Sequence, residues 1–272
     1  DDEEDALDGA DKTGDELPEE LRHRESRLKK IREAKSELER EAREEAEAAK
    51  RAQAAREAEG GHRGPRPKEP AVEPDPKAQK NFTDPESRIM PSPTHKKSFL
   101  QGYNCQAAVC GKSQIILAAD VTQASNDKRQ AVPMVEQVIA NAGAVPEKVL
   151  MDAGYFSKEN VRQLKMDAYI PPDRRKHGEE IPPAARGRMP KGLSEADKMR
   201  RKLSTKAGRA VYAKRKEIVE PVFGQIKQAR GFRQFLLRGL NKVKGEWILV
   251  CTTHNILKLW KSGRFRPGFA LS

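Results

Sequence analysis

The chain contains few cysteines, few aromatic residues and no long apolar segment. Its three cysteines form no CxxC pair among 272 residues, which gives no support for a disulfide scaffold or a thiolate zinc site. No run approaches the eighteen or so apolar residues that a bilayer span needs, and the N-terminus is acidic where a secretory signal would be basic and then apolar. These absences argue against a membrane or exported protein, and we expect a cytoplasmic protein without a membrane partner.

The charge of the chain is divided into two opposite parts. The whole sequence has 53 Lys and Arg against 41 Asp and Glu, which gives a formal net charge of +12. Residues 1–59 hold 13 basic and 21 acidic side chains, so their net charge is −8 and that of residues 60–272 is +20. An excess of this size is expected of a protein that holds a phosphate backbone, the alternative being a merely basic surface.

The first 80 residues lack the pattern of a globular core. Residues 1–16 are acidic with one leucine, which predicts a disordered tail. Residues 17–59 are rich in Ala, Glu, Lys, Arg and Leu, and their apolar residues recur at three- and seven-residue steps. This spacing predicts one long helix, either a solvated arm or a weakly paired coiled coil. Residues 60–80 contain too many prolines for helix or sheet and predict an extended linker.

Residues 81–260 alternate between short apolar runs and helical patterns, which predicts an α/β domain. Strands are expected at Tyr103–Val109, Gln114–Asp120, Lys148–Met151 and Ala168–Ile170, and helices at Asp127–Ala142, Lys158–Met166, Ala207–Arg230 and Val243–Trp260. Ser157 can cap the second helix, and Pro221 should kink or split the third. We expect a loop or insertion over residues 173–202 and a tail over residues 261–272.

Asp152 is the first candidate for chemistry. It follows a predicted strand, and the carboxyl end of a strand is where an α/β sheet presents polar groups to a ligand. Gly154, two residues further on, lets the chain turn sharply beside it. The alternative interpretation is an aspartate that caps a turn or a helix.

Glu220 is the second candidate, because it lies among apolar residues in a helix rich in Lys and Arg. An ion pair with a neighbouring cation would explain it without catalysis. On a straight helix, Glu220 and Lys227 are close to two turns apart and project from one face. Two carboxylates that hold Mg²⁺ beside Lys and Arg suit phosphodiester chemistry.

Six separated blocks of the sequence occur in the order typical of a known family. They are NFTDPESRIM (81–90), QGYNCQAAV (101–109), ADVTQASNDKRQAVPM (119–134), VLMDAGYFSKENV (149–161), AYIPPDRRKHG (168–178) and VEPVFGQIKQARGFRQFLLRGL (219–240). Over about residues 15–259 the chain resembles the insertion-sequence transposases, whose DDE catalytic domain has a ribonuclease H-like fold and a Tyr-Arg-Glu-Lys signature. The resemblance implies DNA cleavage and strand transfer at transposon ends, with Mg²⁺ or Mn²⁺ as cofactor and DNA as partner.

The resemblance also assigns site residues. It implies that Asp152 is the second catalytic acid and Glu220 the third, and that both are metal ligands. Tyr212 and Lys227 match the Tyr and Lys of the signature, and Lys227 would lie near the terminal transposon phosphates.

The Arg of the signature is left open between two residues. The usual pattern has three residues between the Arg and the Glu. Here Lys216 occupies that position, and Arg215 lies one residue further back. Either could serve, and we choose Arg215. Lys216, Arg230 and Arg233 complete the expected DNA contacts.

The first catalytic Asp of the family is not apparent. It normally lies on the opening strand, upstream of a helical insertion that residues 17–59 resemble. Asp8 follows an acidic run rather than a strand and is rejected, and Asp120 is the remaining candidate. We therefore expect an N-terminally truncated transposase that is inactive alone. Its α/β fold would be a ribonuclease H-like mixed sheet flanked by helices, with the opening strand missing. A long helical arm would precede this sheet. The partial catalytic domain would cover residues 81–260.

Two other functions stay open. Residues 186–244 hold 18 basic and 4 acidic residues with phenylalanines interleaved, which would suit a non-catalytic DNA-binding remnant. The helix over residues 17–59 would suit a coiled-coil interaction protein and allows a homo-oligomer. Cys251 and His254 are expected in the core rather than in a zinc site, because two ligands are too few.

Overall fold

The computed structural model describes residues 24–58, 69–92, 98–174 and 182–263. The chain divides into two compact units, one ending at Pro85 and one beginning at Glu86, and each is described by itself. The predicted disordered tail, residues 1–16, lies outside the described residues, as do residues 264–272 of the predicted C-terminal tail.

The first unit is built on one long helix, α1 (Arg24–Ala58). The end of the predicted linker returns to this helix, since Lys80 Nζ lies 2.9 Å from a Glu37 carboxylate oxygen and 2.6 Å from one of Glu41. Only 5% of the Lys80 side chain is exposed, against 42% and 26% for its two partners. The cation is therefore held by two acids one helical turn apart, which fixes this part of the predicted linker on α1.

The second unit combines helices with three small sheets, an arrangement compatible with the α/β class. Its elements are β1 (Arg88–Pro91), β2 (Phe99–Gly102), β3 (Asn104–Val109), β4 (Ile116–Thr122), α2 (Ala131–Ala142), β5 (Lys148–Leu150), α3 (Lys158–Gln163), β6 (Asp167–Tyr169), α4 (Glu195–Ser204), α5 (Lys206–Gly224) and α6 (Leu240–Lys261). Strands β1 and β2 pair antiparallel, as do β3 and β4, whereas β5 and β6 pair parallel.

The expected loop over residues 173–202 is wrong at its C-terminal end, where α4 begins. Ser194 is the N-cap of this helix, and its hydroxyl accepts a hydrogen bond from Asp197 N at 3.2 Å and donates one to the Asp197 carboxylate at 2.6 Å. The reciprocal pairing satisfies backbone and side chain at the helix start. Two further expectations also change: α2 begins at Ala131 rather than Asp127, and the β1–β2 hairpin has no counterpart in the sequence prediction.

The β3–β4 hairpin carries helices on both faces. One cluster of buried side chains joins the hairpin to α5, α6 and the turn between them, and consists of Ile116, Val121, Val222, Ile226, Val243, Trp247, Val250 and Cys251. On the other face, Ala118 packs with Met134 and Val138 of α2. A register shift opposite Ala108 and Val109 lets Ile116 and Val121, five positions apart, share one face of the strand.

Pro221 does not split the helix, which was one of the two expected outcomes, because α5 continues through it to Gly224. Proline has no N–H to donate to the carbonyl four residues earlier, which is that of Glu217. Gln114, in the β3–β4 turn, supplies the missing donor: its side-chain amide bonds to Glu217 O at 3.0 Å. The helix therefore tolerates Pro221 because another element satisfies the freed carbonyl.

Gln114 also contacts α6. Its carbonyl oxygen lies 3.1 Å from His254 Nε2, and its side-chain oxygen accepts a bond from Lys258 Nζ at 2.7 Å. Its φ is +57°, in the left-handed region that residues other than Gly rarely adopt. Three hydrogen bonds to two helices stabilise this conformation.

We expect Gln114→Ala to lower the free energy of unfolding by about 0.5–1.5 kcal/mol, because it removes the hydrogen bonds of this side chain to Glu217 O and Lys258. Urea denaturation followed by circular dichroism measures the change. Lys112→Ala, at an exposed site in the same turn, should stay within about 0.5 kcal/mol of wild type. Equal effects of the two substitutions would contradict this role of Gln114.

Candidate active site

Asp152 lies in a tight turn directly after β5. Its carboxylate oxygen Oδ1 accepts a hydrogen bond from Gly154 N at 2.8 Å, and the residues that follow, Ala153–Tyr155, form one turn of 3-10 helix. A Cβ on Gly154 would lie 3.0 Å from this oxygen and 2.8 Å from Oδ2 of Asp127. A larger residue at position 154 would therefore have to displace both carboxylate groups.

Asp127 is the site residue that sequence reasoning missed. Its Oδ1 accepts hydrogen bonds from Asn104 Nδ2 at 2.7 Å and from Gln106 Nε2 at 2.8 Å, while its Oδ2 lies against Gly154, which Asp152 Oδ1 also approaches. The available signal was on β3, where Asn104 and Gln106 place amides on one face of a strand that packs inside the fold. Such a pair indicates a buried polar partner.

A buried hydrogen-bond network connects this turn to the core. Gln106 is 2% exposed, and its side-chain oxygen accepts a bond from the Tyr155 hydroxyl. Its backbone oxygen accepts one from Trp247 Nε1 at 2.9 Å. Burial raises the pKa of Tyr155, and the nearby charges of Asp127 and Asp152 raise it further, so the phenol stays a donor. The turn that carries Asp152 is thereby fixed to β3 and α6.

Tyr212, on α5, lies within the electrostatic reach of Asp152, and Arg215 of the same helix lies beside Tyr212. Burial raises the pKa of Tyr212, the Asp152 charge raises it too, and Arg215 opposes the shift. The Arg215 guanidinium carbon is 5.8 Å from the Tyr212 ring centroid. Arg215 Nε is buried and has no hydrogen-bond partner among the described residues. Tyr212 therefore lies between the influence of an acid and a cation that has an unused donor.

Glu220 and Lys227 are placed differently from these residues. Glu220 is exposed on α5. Lys227 is exposed, and its Nζ lies 5.5 Å from the Phe223 ring centroid. The assumption of a straight helix between Glu220 and Lys227 is wrong, because a π-helical turn over Gln225–Ala229 follows α5 and changes the angle between their side chains.

A family model described as the transposase DDE domain matches residues 74–256, more than half of the chain. The chain belongs to this family. The match supports an insertion-sequence DDE transposase, although it begins at residue 74 rather than near residue 15, where the resemblance was expected to start. No curated protein and no solved structure matches the transposase.

The other basic residues predicted for the transposase differ in their surroundings. Lys216 is exposed on α5, whereas Arg215 beside it is partly buried. Arg230 bonds to α6 through Val250 O at 3.2 Å and through the Thr253 hydroxyl, so it holds two elements together. Arg233 is exposed and bonds to the Gln228 side chain. Lys216 and Arg233 are therefore the more accessible cations.

The other candidate metal ligands form an ion pair or lie in the hydrophobic core. Asp120 pairs with Lys244 Nζ at 2.9 Å and accepts a bond from Val121 N at 2.8 Å. Cys251 and His254 are buried in the core, 4% and 0% exposed. Over residues 24–58, 69–92, 98–174 and 182–263, no three His, Cys, Asp or Glu side chains form a group that could hold a metal ion. None of the helices described there is long and apolar enough to cross a bilayer.

His254 makes the stability of the transposase domain depend on pH. Burial lowers its pKa, and the charges of Lys258 and Arg230 act in the same direction. The folded state therefore takes up fewer protons than the unfolded state once the pH falls below the ordinary histidine value of about 6.5. The contribution of His254 to the free energy of unfolding should be complete above a pH of about 6.5. It should decrease as the pH falls from that value to the lowered pKa of the folded state.

Urea denaturation at a series of pH values measures this dependence. In His254→Asn, which cannot titrate there, the curve should be flatter below neutral pH than in wild type. The Cys251→Ala variant, changed one helical turn away, controls for loss of packing and should keep the wild-type slope. Parallel curves for wild type and His254→Asn would contradict the assignment.

Proposed function

We propose that this domain performs metal-dependent DNA cleavage and strand transfer at transposon ends, with a ribonuclease H-like arrangement of its sheet. The observation that carries the proposal is the pair of carboxylates, Asp127 and Asp152, that both approach Gly154. Two negative groups in one turn would be stabilised by a cation that binds both. Tyr212 and Arg215 beside them supply groups that bind a phosphate.

The donor set fits Mg²⁺ or Mn²⁺, since both ions take carboxylate oxygens as ligands. Asp152 and Asp127 would hold the ion, with Glu220 as the third acid that the family resemblance implies. When bound, the ion lowers the pKa of water or of a 3′-hydroxyl and neutralises charge on the phosphate.

The protein groups around the acids position the substrate. The amides of Asn104 and Gln106 fix one oxygen of Asp127, which leaves the other directed to Gly154. Arg215, with a buried unpartnered Nε, donates to a non-bridging phosphate oxygen. Lys216, Lys227 and Arg233, which are exposed, bind neighbouring phosphates and align the scissile bond.

We further propose that the chain is inactive alone. Two adjacent carboxylates leave most coordination positions of Mg²⁺ to water, which weakens both affinity and geometry. The third acid, Glu220, is exposed and far less constrained than Asp127. A further carboxylate from another polypeptide segment would complete the set.

A non-catalytic DNA-binding remnant is the second candidate. The exposure of Lys216, Lys227 and Arg233 favours it, because accessible cations bind the backbone without needing the acids. In this case DNA affinity should survive Asp152→Ala and fall steeply with added salt.

The two candidates are separated by one assay. A supercoiled plasmid that carries the coding region and its flanking sequence is incubated with the protein and Mg²⁺ or Mn²⁺, and nicked product is quantified for wild type, Asp152→Ala and Asp120→Ala. Nicking above background that Asp152→Ala removes and Asp120→Ala retains supports the catalytic site and overturns inactivity alone. Nicking lost only in Asp120→Ala overturns the Asp127–Asp152 site. Salt-dependent DNA binding without nicking supports either an incomplete catalytic site or a DNA-binding remnant. Mn²⁺ binding that depends on Asp127 and Asp152 then supports the incomplete site, and its absence supports the remnant.

A further inference from the structure

An exposed apolar tip lies on the loop between the π-helical turn and α6. Leu236 is 79% exposed and Leu237 is 47% exposed. Large apolar side chains are stabilised when they leave water. Single exposed leucines are common on protein surfaces, so exposure alone does not indicate a binding surface. The fixed backbone of the tip and the charge around it are the further observations.

The loop holds these two leucines in a fixed position. The Glu246 carboxylate accepts hydrogen bonds from Leu236 N at 3.0 Å and 3.2 Å and from Leu237 N at 2.9 Å. Phe235, the preceding residue, packs against the core cluster, and Leu240 N bonds to Glu86 at 2.8 Å where the loop ends. The backbone is thus attached before, at and after the tip. Its side chains can be presented outward with little entropy to lose on binding.

The charge around the tip is positive. Arg233 and Arg238 are exposed on either side of the two leucines along the chain, and Lys242 is exposed at the start of α6. Glu246 is the one acid between residues 230 and 250, and Glu86 also reaches the loop, but both carboxylates accept hydrogen bonds from its amides. An occupant of this surface must therefore combine negative charge outside with an apolar interior.

Duplex DNA has these properties, because phosphates flank a stack of bases. Proteins that bend DNA insert leucine and other apolar side chains between base pairs while Arg or Lys contact the phosphates. A protein partner fits less well. A stable interface covers roughly 800 Å² on each partner, and on this surface it would bury arginines together with two leucines.

We propose that Leu236, assisted by Leu237, inserts between neighbouring base pairs of duplex DNA while Arg233 and Arg238 bind the phosphates on either side. The proposal rests on the proposed function in so far as the transposase must bind DNA. It adds that the bound duplex is unstacked at one step. Unstacking costs a few kcal/mol, which the additional protein contacts offset.

The test uses a short duplex with 2-aminopurine, whose fluorescence rises when its neighbours unstack, placed at successive positions. The full chain is titrated at low salt, and fluorescence is compared with binding measured by anisotropy. Wild type should raise the fluorescence severalfold at one or two positions. Leu236→Ala should lose most of this rise while its affinity falls less than tenfold. Leu249→Ala, at a 63% exposed leucine of α6, is the matched control and should behave as wild type.

A second arm examines the cations. Arg233→Ala should reduce the slope of log affinity against log salt by about one, whereas Leu236→Ala should leave it unchanged. DNA that binds at saturation without a fluorescence rise at any position overturns the inserted leucine and leaves DNA binding standing. Absence of binding at low salt overturns the proposed function itself. A change in sedimentation of the DNA-free protein in Leu236→Ala shows that the tip contacts another protein copy, which also overturns the proposal.

Discussion

Replacing Trp247 with alanine is expected to reduce the free energy of unfolding by about 3–5 kcal/mol, a large part of the stability of an ordinary domain. Trp247 is 5% exposed in the cluster that joins the β3–β4 hairpin to α6, and its ring stacks on Phe223 with centroids 6.1 Å apart. The substitution removes this packing and the hydrogen bond from Nε1 to Gln106 O. The change is measured by urea denaturation of the full chain.

Trp260 provides a matched control at the other end of the same helix. It is 61% exposed, so Trp260→Ala removes the same side chain with little loss of buried area and should change stability by less than about 1 kcal/mol. Trp247→Phe separates packing from hydrogen bonding, since it keeps a ring and loses the donor. Comparable losses for Trp247→Ala and Trp260→Ala would show that the described core is wrong.

Asp127→Asn should weaken Mn²⁺ binding by about ten- to a hundredfold. Asparagine keeps the shape of aspartate and can still accept the amide bonds of Asn104 and Gln106, but it removes one of the two negative charges that face Gly154. The midpoint of thermal unfolding should stay the same or rise, because repulsion between neighbouring carboxylates is relieved. Calorimetric titration with Mn²⁺ alone, in parallel with thermal denaturation, measures both quantities.

Two further variants define the result. Asp152→Asn should weaken Mn²⁺ binding to a similar degree, whereas Asp120→Asn should not, because Asp120 on β4 is paired with Lys244 of α6. If Asp127→Asn binds Mn²⁺ as wild type does while Asp152→Asn does not, Asp127 is a structural residue and the proposed ligand pair is rejected.

The sequence predicts those features that depend on local physics. Ser157 caps α3, since its hydroxyl accepts a bond from Asn160 N at 3.0 Å, and Asp152 follows β5 as the apolar run before it indicated. The regular spacing of Val132, Val135 and Val138 likewise corresponds to α2. Each of these features is determined by residues within a few positions of one another.

What the sequence does not predict depends on distant partners. Pro221 breaks a local rule of helix formation, and α5 continues only because Gln114, more than a hundred residues earlier, bonds to the freed carbonyl. The sequence pattern makes Asp127 only the first residue of a predicted helix, and its role depends on the two amides that β3 places beside it. By contrast, the N-cap at Ser194 was within reach of local reasoning, and the dense basic residues around it obscured the helix pattern.

The role of Gln114 has a consequence for how the domain opens. The side chain and the backbone carbonyl of Gln114 join α5 and α6 to the β3–β4 turn. These are the two longest helices described after Glu86. Separation of either helix from that turn breaks a hydrogen bond to the residue that also contacts the other helix. Amide protons along both helices should therefore exchange with deuterium in a single cooperative event, as one foldon rather than as two.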